Sequence, residues 1–228
     1  MKVSVVVPYR PDGGPRDAAW EWCRRQWSRA HPDWPVYTGA GPDGPWCKAS
    51  AVAQAAESVS GGIVVVADAD VWCTGVTEAV LEVRDGSVQW AIPHWHVYRL
   101  TERVTAGVLA GRPVVDDVEQ DPYQGHAGGG ITVLSWEAFR DTPMDPRFVG
   151  WGQEDDAWAL ALDTLQGPRW RGRAQLHHLW HPAQPRWDRE WGSVAGRDLY
   201  RRYERAASNG QVAMRALLAE AREHFAAA

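Results

Sequence analysis

The chain has 228 residues, of which 45% are hydrophobic, and carries a formal net charge of −5. This size allows one large domain with its own core, and no repeat or linker in the sequence indicates a second one. The acidic balance excludes a generally basic surface for nucleic acid, and no apolar run approaches the roughly 20 residues that cross a membrane.

The cysteines and the N-terminus bear on the compartment. Three cysteines lie far apart without CxxC spacing, so we expect reduced thiols in a cytoplasmic protein. The first residues are expected to form a strand and not a signal peptide.

Strands and helices alternate in the first part of the chain. A β-branched run at 3–7 predicts a strand, and apolar residues at helical spacing predict a packed helix over 17–30. A second strand at 36–39 and a small-residue helix at 49–58 follow, and then an unbroken β-branched run at 63–66. That run is typical of a strand buried on both faces. The order predicts an α/β fold with a parallel sheet.

Two carboxylates, Asp68 and Asp70, follow the buried run. Because residues two apart on a strand point to the same side, we expect both side chains to emerge together, where α/β sheets bind ligands. Adjacent carboxylates repel each other unless they share a positive partner. A divalent Mg²⁺ or Mn²⁺ ion beside substrate phosphates would be such a partner. Two aspartates that only cap the strand remain the alternative.

The second part of the chain is less regular. A long polar loop at 111–127 indicates a lid or an acceptor loop. His94 and His96 are interpreted as strand residues. Ser135 is expected to cap a short helix, and three acids, more than capping requires, open another. The predicted helices are 76–83, 101–109, 136–140 and 157–165, the predicted strands are 88–93, 131–135 and 173–176, and 188–228 is expected to be mostly helical with a break at 208–210.

Four short segments, taken in chain order, form a recognisable pattern. They are Pro8-Tyr9-Arg10, Asp68-Ala69-Asp70, the Gly129-Gly130 strand start with Gly150-Trp151-Gly152-Gln153-Glu154-Asp155-Asp156, and His178-Leu179-Trp180-His181-Pro182. Over residues 3–182 the chain resembles GT-A glycosyltransferases of the β-1,4-galactosyltransferase and chondroitin synthase type, with the polypeptide N-acetylgalactosaminyltransferases as relatives. The resemblance implies a Rossmann-like, mostly parallel sheet flanked by helices over 1–182, and a helical extension over 183–228 packed on the same domain.

The resemblance also implies a function. The protein would be a metal-dependent glycosyltransferase that moves a sugar, a hexose, from a nucleotide-sugar to an acceptor hydroxyl. UDP is favoured as the nucleotide on this ground alone. The cofactor would be Mn²⁺, or Mg²⁺ in its place.

Roles at the donor follow from the same resemblance. Pro8, Tyr9 and Arg10 would contact the nucleotide base. Trp46 and Lys48 would line the same pocket, although lysine replaces the family's arginine at Lys48 and weakens planar recognition.

The metal site would centre on Asp70. Asp68 would lie near the ribose and is a further candidate ligand. For the histidine ligand we favour His178, with His181 as the second candidate, and His177 is expected to be structural.

Roles at the sugars complete the set. Gly129 and Gly130 would approach the donor sugar, and Trp151 would lie on a mobile loop that closes over both substrates. Glu154 would hold a sugar, and Asp155 would be the general base of an inverting reaction.

Several alternatives remain open at this stage. A retaining enzyme would use Asp155 to organise substrate, and a non-catalytic nucleotide-sugar-binding module would use the same pocket. A nucleotidyltransferase fits poorly, because residues 11–16 are not a basic, glycine-rich phosphate loop. The acceptor could be a saccharide, a protein such as a virion protein, or a modified DNA base. The oligomeric state and the sugar are open. The local basic patch that leaves room for DNA consists of Arg171, Arg173, Arg186, Arg189, Arg201 and Arg202.

Overall fold

Our computed structural model describes residues 2–182 and 193–227. The described part is a mixed α/β structure with one sheet. Its strands are β1 (Val3–Pro8), β2 (Val36–Gly39), β3 (Ile63–Ala67), β4 (Val71–Cys73), β5 (Trp90–Arg99), β6 (Tyr123–Gln124), β7 (Ile131–Ser135) and β8 (Trp170–His178). Its helices are α1 (Pro15–Ala30), α2 (Lys48–Ala55), α3 (Val76–Arg84), α4 (Glu102–Leu109), α5 (Trp136–Asp141), α6 (Glu154–Gln166), α7 (Val194–Asn209) and α8 (Gln211–Ala227).

The predicted alternation of strands and helices is confirmed through β3. Strands β1 and β3 are buried along their whole length, as an unbroken β-branched run requires inside a covered sheet. Helix α5 begins as expected, because Ser135 Oγ accepts a hydrogen bond from the Ala138 N–H at 3.1 Å. Helix α2 ends at Ala55, three residues earlier than predicted.

The sheet has the order β2-β1-β3-β7-β5-β8-β4, and β6 pairs with β5. Strands β2, β1 and β3 are parallel to each other, and β8 is parallel to β5. Strand β7 runs antiparallel to both β3 and β5, and β4 runs antiparallel to β8. The sheet is therefore mixed, whereas the sequence predicts a mostly parallel one. The difference arises because β7 and β4 run antiparallel to the strands beside them.

This strand order brings distant segments to one edge. Ile131, at the start of β7, pairs with Ala67, at the end of β3, so the glycines before β7 lie beside Asp68. Val71 pairs with His178, so the end of β8 lies beside the Asp70 segment. Strand β5 is longer than predicted and includes both His94 and His96.

Helices cover the sheet on both faces. One apolar cluster joins β1 and β3 to α1 and α3, and a second joins the opposite face to α2, α5 and α6. Helices α7 and α8 pack on α6 through a third cluster that includes Phe148, Tyr203 and Met214. The predicted helical segment with a break at 208–210 is confirmed from Val194 to Ala227, because α7 ends at Asn209 and Gly210 adopts a φ of 85°. Residues 188–192 and 228 of that prediction lie outside the described residues.

The three cysteines are buried free thiols. None of the helices in the described ranges combines the length and apolar character that crossing a bilayer requires.

Candidate active site

Asp70 lies at the centre of a charged cluster at the sheet edge. It is only 6% exposed. Its Oδ2 is 3.1 Å from His181 Nε2 and 3.3 Å from Arg16 Nε, and its Oδ1 is 3.8 Å from His178 Nε2. Burial alone would raise the pKa of Asp70, but His178, His181 and Arg16 together hold it below its ordinary value.

The two histidines of this cluster differ in their environment. Burial lowers the pKa of His178 to about 4, so its imidazole is neutral and offers a lone pair at neutral pH. The hydrogen bond with Asp70 raises the pKa of His181 instead. Both rings come to Asp70 because β8 ends at His178 and the Leu179 N–H donates to the Asp70 carbonyl at 2.8 Å.

The cluster fits a divalent cation. One ligand atom from each of Asp70, His178 and His181 lies within 4.8 Å of the other two. Adjacent ligands of an octahedral ion are about 3 Å apart and opposite ones about 4.2 Å, so the spacing suits such an ion after small adjustments. Two imidazoles beside one carboxylate suit a first-row transition-metal ion better than Mg²⁺, which takes oxygen ligands.

Asp68 does not belong to this three-residue group. Its Oδ1 is 2.7 Å from Lys48 Nζ, and its Oδ2 accepts a hydrogen bond from the Gly130 N–H at 3.1 Å. Each of the two carboxylates has a basic side chain of its own, Lys48 for Asp68 and Arg16 for Asp70. The reason is that β3 ends at Ala67, so the alternation of a strand no longer governs the two side chains.

Lys48 contacts both Asp68 and Asp155, the predicted general base. Its Nζ lies 2.7 Å from Asp68 Oδ1 and 2.7 Å from Asp155 Oδ1, and its side chain is buried. Burial alone would lower the pKa of Lys48, but the Asp155 and Asp68 carboxylates raise it above its ordinary value. Lys48 is therefore a charged link between two carboxylates.

Asp155 lies on the first turn of α6, next to the backbone of Gly128 and Gly129 in the glycine segment 128–130. A Cβ on Gly129 would come 3.1 Å from Asp155 Oδ2, and one on Gly128 would come 2.3 Å from the Asp155 carbonyl oxygen. Burial and the neighbouring Glu154 and Asp68 carboxylates raise the pKa of Asp155, and the Lys48 ammonium opposes them. Glycine is needed at Gly128, because a Cβ there would collide with the α6 backbone, whereas a Cβ at Gly129 would require only a small shift of the Asp155 side chain.

Glu154 faces the loop that precedes it. Its Oε2 accepts a hydrogen bond from the Gly152 N–H at 2.8 Å, and burial raises its pKa. Trp151 is 41% exposed. The loop contains positive φ angles at Gly150, Gly152 and Gln153 (92°, 114° and 66°), a conformation that favours glycine.

The residues predicted to contact the nucleotide base lie at and just after the end of β1. Tyr9 Oη donates to Asp17 Oδ1 at 2.7 Å. Arg10 donates to the carbonyl oxygens of Ala40, Pro42 and Gly44, and its guanidinium lies 5.4 Å from the centre of the Trp46 ring. Arg10 thus organises the 40–46 loop, and the Trp46 carbonyl accepts the Gly150 N–H at 2.8 Å.

Sequence reasoning missed Arg16, because residues 11–16 were considered only as a possible phosphate loop. Its position on the first turn of α1 was the available signal, since that turn follows β1, the neighbour of the acid-bearing β3.

Of the predicted basic patch, Arg171 donates to the His94 carbonyl, whereas Arg201 and Arg202 pair with Asp198 and Glu220. Arg186 and Arg189 lie outside the described residues.

Sequence comparison finds no relatives: no protein-family model matches, and no curated protein matches. Structural comparison finds proteins of similar fold. The crystal structure of GalNAc-T7 with UDP, GalNAc and Mn²⁺ superposes with a TM-score of 0.54 at 13% identity, over 90% of this chain and 48% of that one. The chain has the GT-A fold.

Two further GT-A structures are similar at lower scores. A mutant of Drosophila β-1,4-galactosyltransferase 7, in complex with manganese, UDP-Gal and xylobiose, gives a TM-score of 0.44 at 14% identity, over 83% of this chain and 77% of that one. Glucosyl-3-phosphoglycerate synthase from Mycobacterium tuberculosis, with phosphoglyceric acid, gives 0.45 at 17%, over 95% and 79%. The GT-A assignment rests on the GalNAc-T7 match, and the chain spans about half the length of that protein.

Proposed function

We propose that this GT-A chain is a metal-dependent glycosyltransferase that moves a sugar from a nucleotide-sugar to an acceptor hydroxyl. The donor we propose is a UDP-sugar, and the cofactor is Mn²⁺. GalNAc-T7 and the Drosophila enzyme were crystallised with Mn²⁺ or manganese and with UDP or UDP-Gal. At their low identity, this chain's own residues must carry the argument for its chemistry.

One observation carries the proposal: Asp70, His178 and His181 converge at the same sheet edge as the Lys48, Asp68 and Asp155 chain of ion pairs. A cation held by the first group would stabilise negative charge on a departing diphosphate. The two groups adjoin along the chain, because Asp68 of one group and Asp70 of the other are two residues apart. A site for the charged leaving group and a candidate base would therefore lie at the same edge of the sheet.

The base we propose is Asp155, in an inverting reaction. Burial raises its affinity for a proton, and Lys48 fixes one of its oxygens at 2.7 Å. The carboxylate would take the proton of the acceptor hydroxyl as that oxygen attacks the sugar carbon and the bond to the diphosphate breaks. Glu154 and Trp151, on either side of Gly152, would hold the sugars.

The acceptor we propose is a saccharide or a protein hydroxyl. Arg171, Arg201 and Arg202 of the predicted patch pair with carboxylates or backbone carbonyls, so these three arginines give no support to a duplex DNA surface. We further propose that residues 1–182 form the catalytic domain and that the C-terminal helices are an extension of it.

Transfer from UDP-sugars in Mn²⁺ tests the function directly. A panel of donors is screened first by thermal shift, because a bound donor raises the melting temperature. The best donor is then assayed for transfer and for hydrolysis. The anomeric configuration of the product, read by NMR, distinguishes inversion from retention, and a retained configuration would refute Asp155 as the base.

The metal site is tested by calorimetry of UDP binding with and without Mn²⁺. We expect Asp70→Ala and His178→Ala to lose the Mn²⁺-dependent part of UDP affinity. Asp85→Ala, which changes an exposed aspartate that pairs with the neighbouring Arg84, is the matched control and should bind as the wild type does. Unchanged Mn²⁺-dependent affinity in either site variant would remove that residue from the metal site.

A further inference from the structure

Arg16 is the basic residue nearest to the candidate cation ligands that the proposed function does not use. Its Nε lies 3.3 Å from Asp70 Oδ2, the same oxygen that His181 contacts. That Nε is buried yet lacks a well-oriented hydrogen-bond partner. The side chain as a whole is 28% exposed. The guanidinium is therefore held near Asp70 by charge, through a poorly aligned contact.

The other basic side chains at this edge, Arg10 and Lys48, each have several hydrogen-bond or ion-pair partners. Arg10 donates to three backbone carbonyls, and Lys48 lies 2.7 Å from each of two carboxylates. Releasing the buried Lys48 would leave charged groups without partners, which is costly, and releasing Arg10 would break three hydrogen bonds at once. Arg16 can leave Asp70 at lower cost, provided that another positive group replaces it there.

A divalent cation on Asp70 would be that replacement. It would sit among Asp70, His178 and His181 and would compete with Arg16 for the same carboxylate. The displaced guanidinium would then lie beside a cation that carries phosphate oxygens. Guanidinium groups bind phosphate through paired, charge-assisted hydrogen bonds, so the diphosphate is the natural new partner.

We propose that Arg16 binds the diphosphate of the donor, and that it neutralises Asp70 until a cation takes its place. This inference rests on the proposed function, since it requires a nucleoside diphosphate and a cation at the same edge. It makes Arg16 a donor-binding residue on α1, outside the segments that carry the resemblance.

Arg16→Gln tests this with two binding measurements. Calorimetry compares UDP with uridine in saturating Mn²⁺, and electron paramagnetic resonance of free Mn²⁺ measures cation binding alone. We expect UDP affinity to fall about tenfold or more, because a charge-assisted hydrogen bond is lost, while uridine affinity is unchanged. Mn²⁺ alone should bind more tightly than to the wild type, because its competitor for Asp70 has gone.

Two variants complete the design. Arg16→Lys keeps the charge without the planar fork, so it should lose less UDP affinity than Arg16→Gln. Arg25→Gln, an exposed arginine on the same helix that pairs with Glu21, should match the wild type in every measurement. Thermal unfolding of each variant shows whether it is folded.

The outcomes separate this inference from the proposed function. If the wild type binds UDP in Mn²⁺ and Arg16→Gln binds it equally well, the assignment of Arg16 is wrong and the function stands. Equal losses for UDP and uridine, or weaker Mn²⁺ binding in Arg16→Gln, would show that Arg16 only supports Asp70 structurally. If the wild type itself does not bind UDP in Mn²⁺, the proposed function fails, and this inference fails with it.

Discussion

At the scale of single residues, neighbouring acids take different partners. Asp68 contacts Lys48 and Gly130, whereas Asp70, two positions later, contacts Arg16, His178 and His181. The sequence predicts that acids gather here, because a buried β-branched run ends at them. Which acid meets which cation depends on side chains from other elements, so it could not be predicted locally.

Asp155→Asn is the first prediction at this scale. We expect it to lower the rate of transfer by about a hundredfold or more, because an amide cannot accept the hydroxyl proton. UDP affinity in Mn²⁺ should stay within about threefold of the wild type, since Asp70 and the histidines are intact. Asp156→Asn is the control, because Asp156 pairs with His126 and not with Lys48. Near-normal turnover in Asp155→Asn would refute its role as the base.

His94 supports a second prediction, about pH. The ring is 1% exposed and lies under the glycines, 3.3 Å from where a Cβ on Gly130 would be. Burial, with the Arg171 charge, lowers the pKa of His94 to about 3. The unfolded chain binds a proton near pH 6.5 and the folded chain does not, so stability is full above that pH and falls as pH drops toward 3.

The measurement is denaturant unfolding at two pH values. Between pH 7 and pH 5 we expect His94 to cost the wild type about 2 kcal/mol of unfolding free energy. The loss should be smaller by about that amount in His94→Gln, whatever its stability at pH 7. An equal loss in both proteins would show that His94 is not a buried neutral histidine. His178, whose pKa is also lowered, supplies a remaining slope of the same sign.

At the scale of elements, the loop before α6 contacts the 40–46 loop. The Gly150 N–H bonds the Trp46 carbonyl, and the Gly152 N–H bonds the Glu154 carboxylate. The sequence predicts a hinge here from its glycines. The structure adds that α6 begins directly after Gln153, a residue with a positive φ, and that Asp155 on its first turn lies against Gly128 and Gly129.

Gly152→Ala tests this loop. The φ of 114° is strained for alanine, so we expect a loss of about 1 kcal/mol in stability together with a marked fall in transfer rate. Gly210→Ala is a matched control, because Gly210 also has a positive φ, 85°, but lies between α7 and α8. It should lose similar stability and keep full activity. Equal activity in the two variants would show that the loop geometry does not matter for transfer.

At the scale of the whole molecule, the C-terminal helices are fastened to the sheet domain by a buried polar group. Asp145 is 5% exposed, accepts hydrogen bonds from Arg147 at 2.7 Å and from Tyr203 Oη at 2.8 Å, and so joins α7 to the segment before α6. Arg147 also bonds Glu220 on α8 at 2.9 Å. Apolar contacts of Phe148, Tyr203 and Met214 surround this network.

Tyr203→Phe removes one hydrogen bond to the buried Asp145 carboxylate without changing shape. We expect the unfolding free energy to fall by about 1–3 kcal/mol, because a buried acceptor loses a partner. Tyr200→Phe, one turn earlier on α7 and only partly buried, should change it by less than about 0.5 kcal/mol. If the two variants unfold alike, the polar network contributes nothing to holding the helices.

The sequence alone determined the local structure and the kinds of residue at the site. Hydrophobic period, β-branched runs and capping residues act between near neighbours, so they identified strands β1 to β3, the cap of α5, the acids at the strand exit and the glycines before β7. Only the tertiary structure decided that β4 pairs with β8, which brings His178 and His181 to Asp70, and that α1 and α2 bring Arg16 and Lys48 to separate aspartates. Those pairings join residues far apart in the chain, and no local pattern encodes them, because they depend on the order in which the strands return through the sheet.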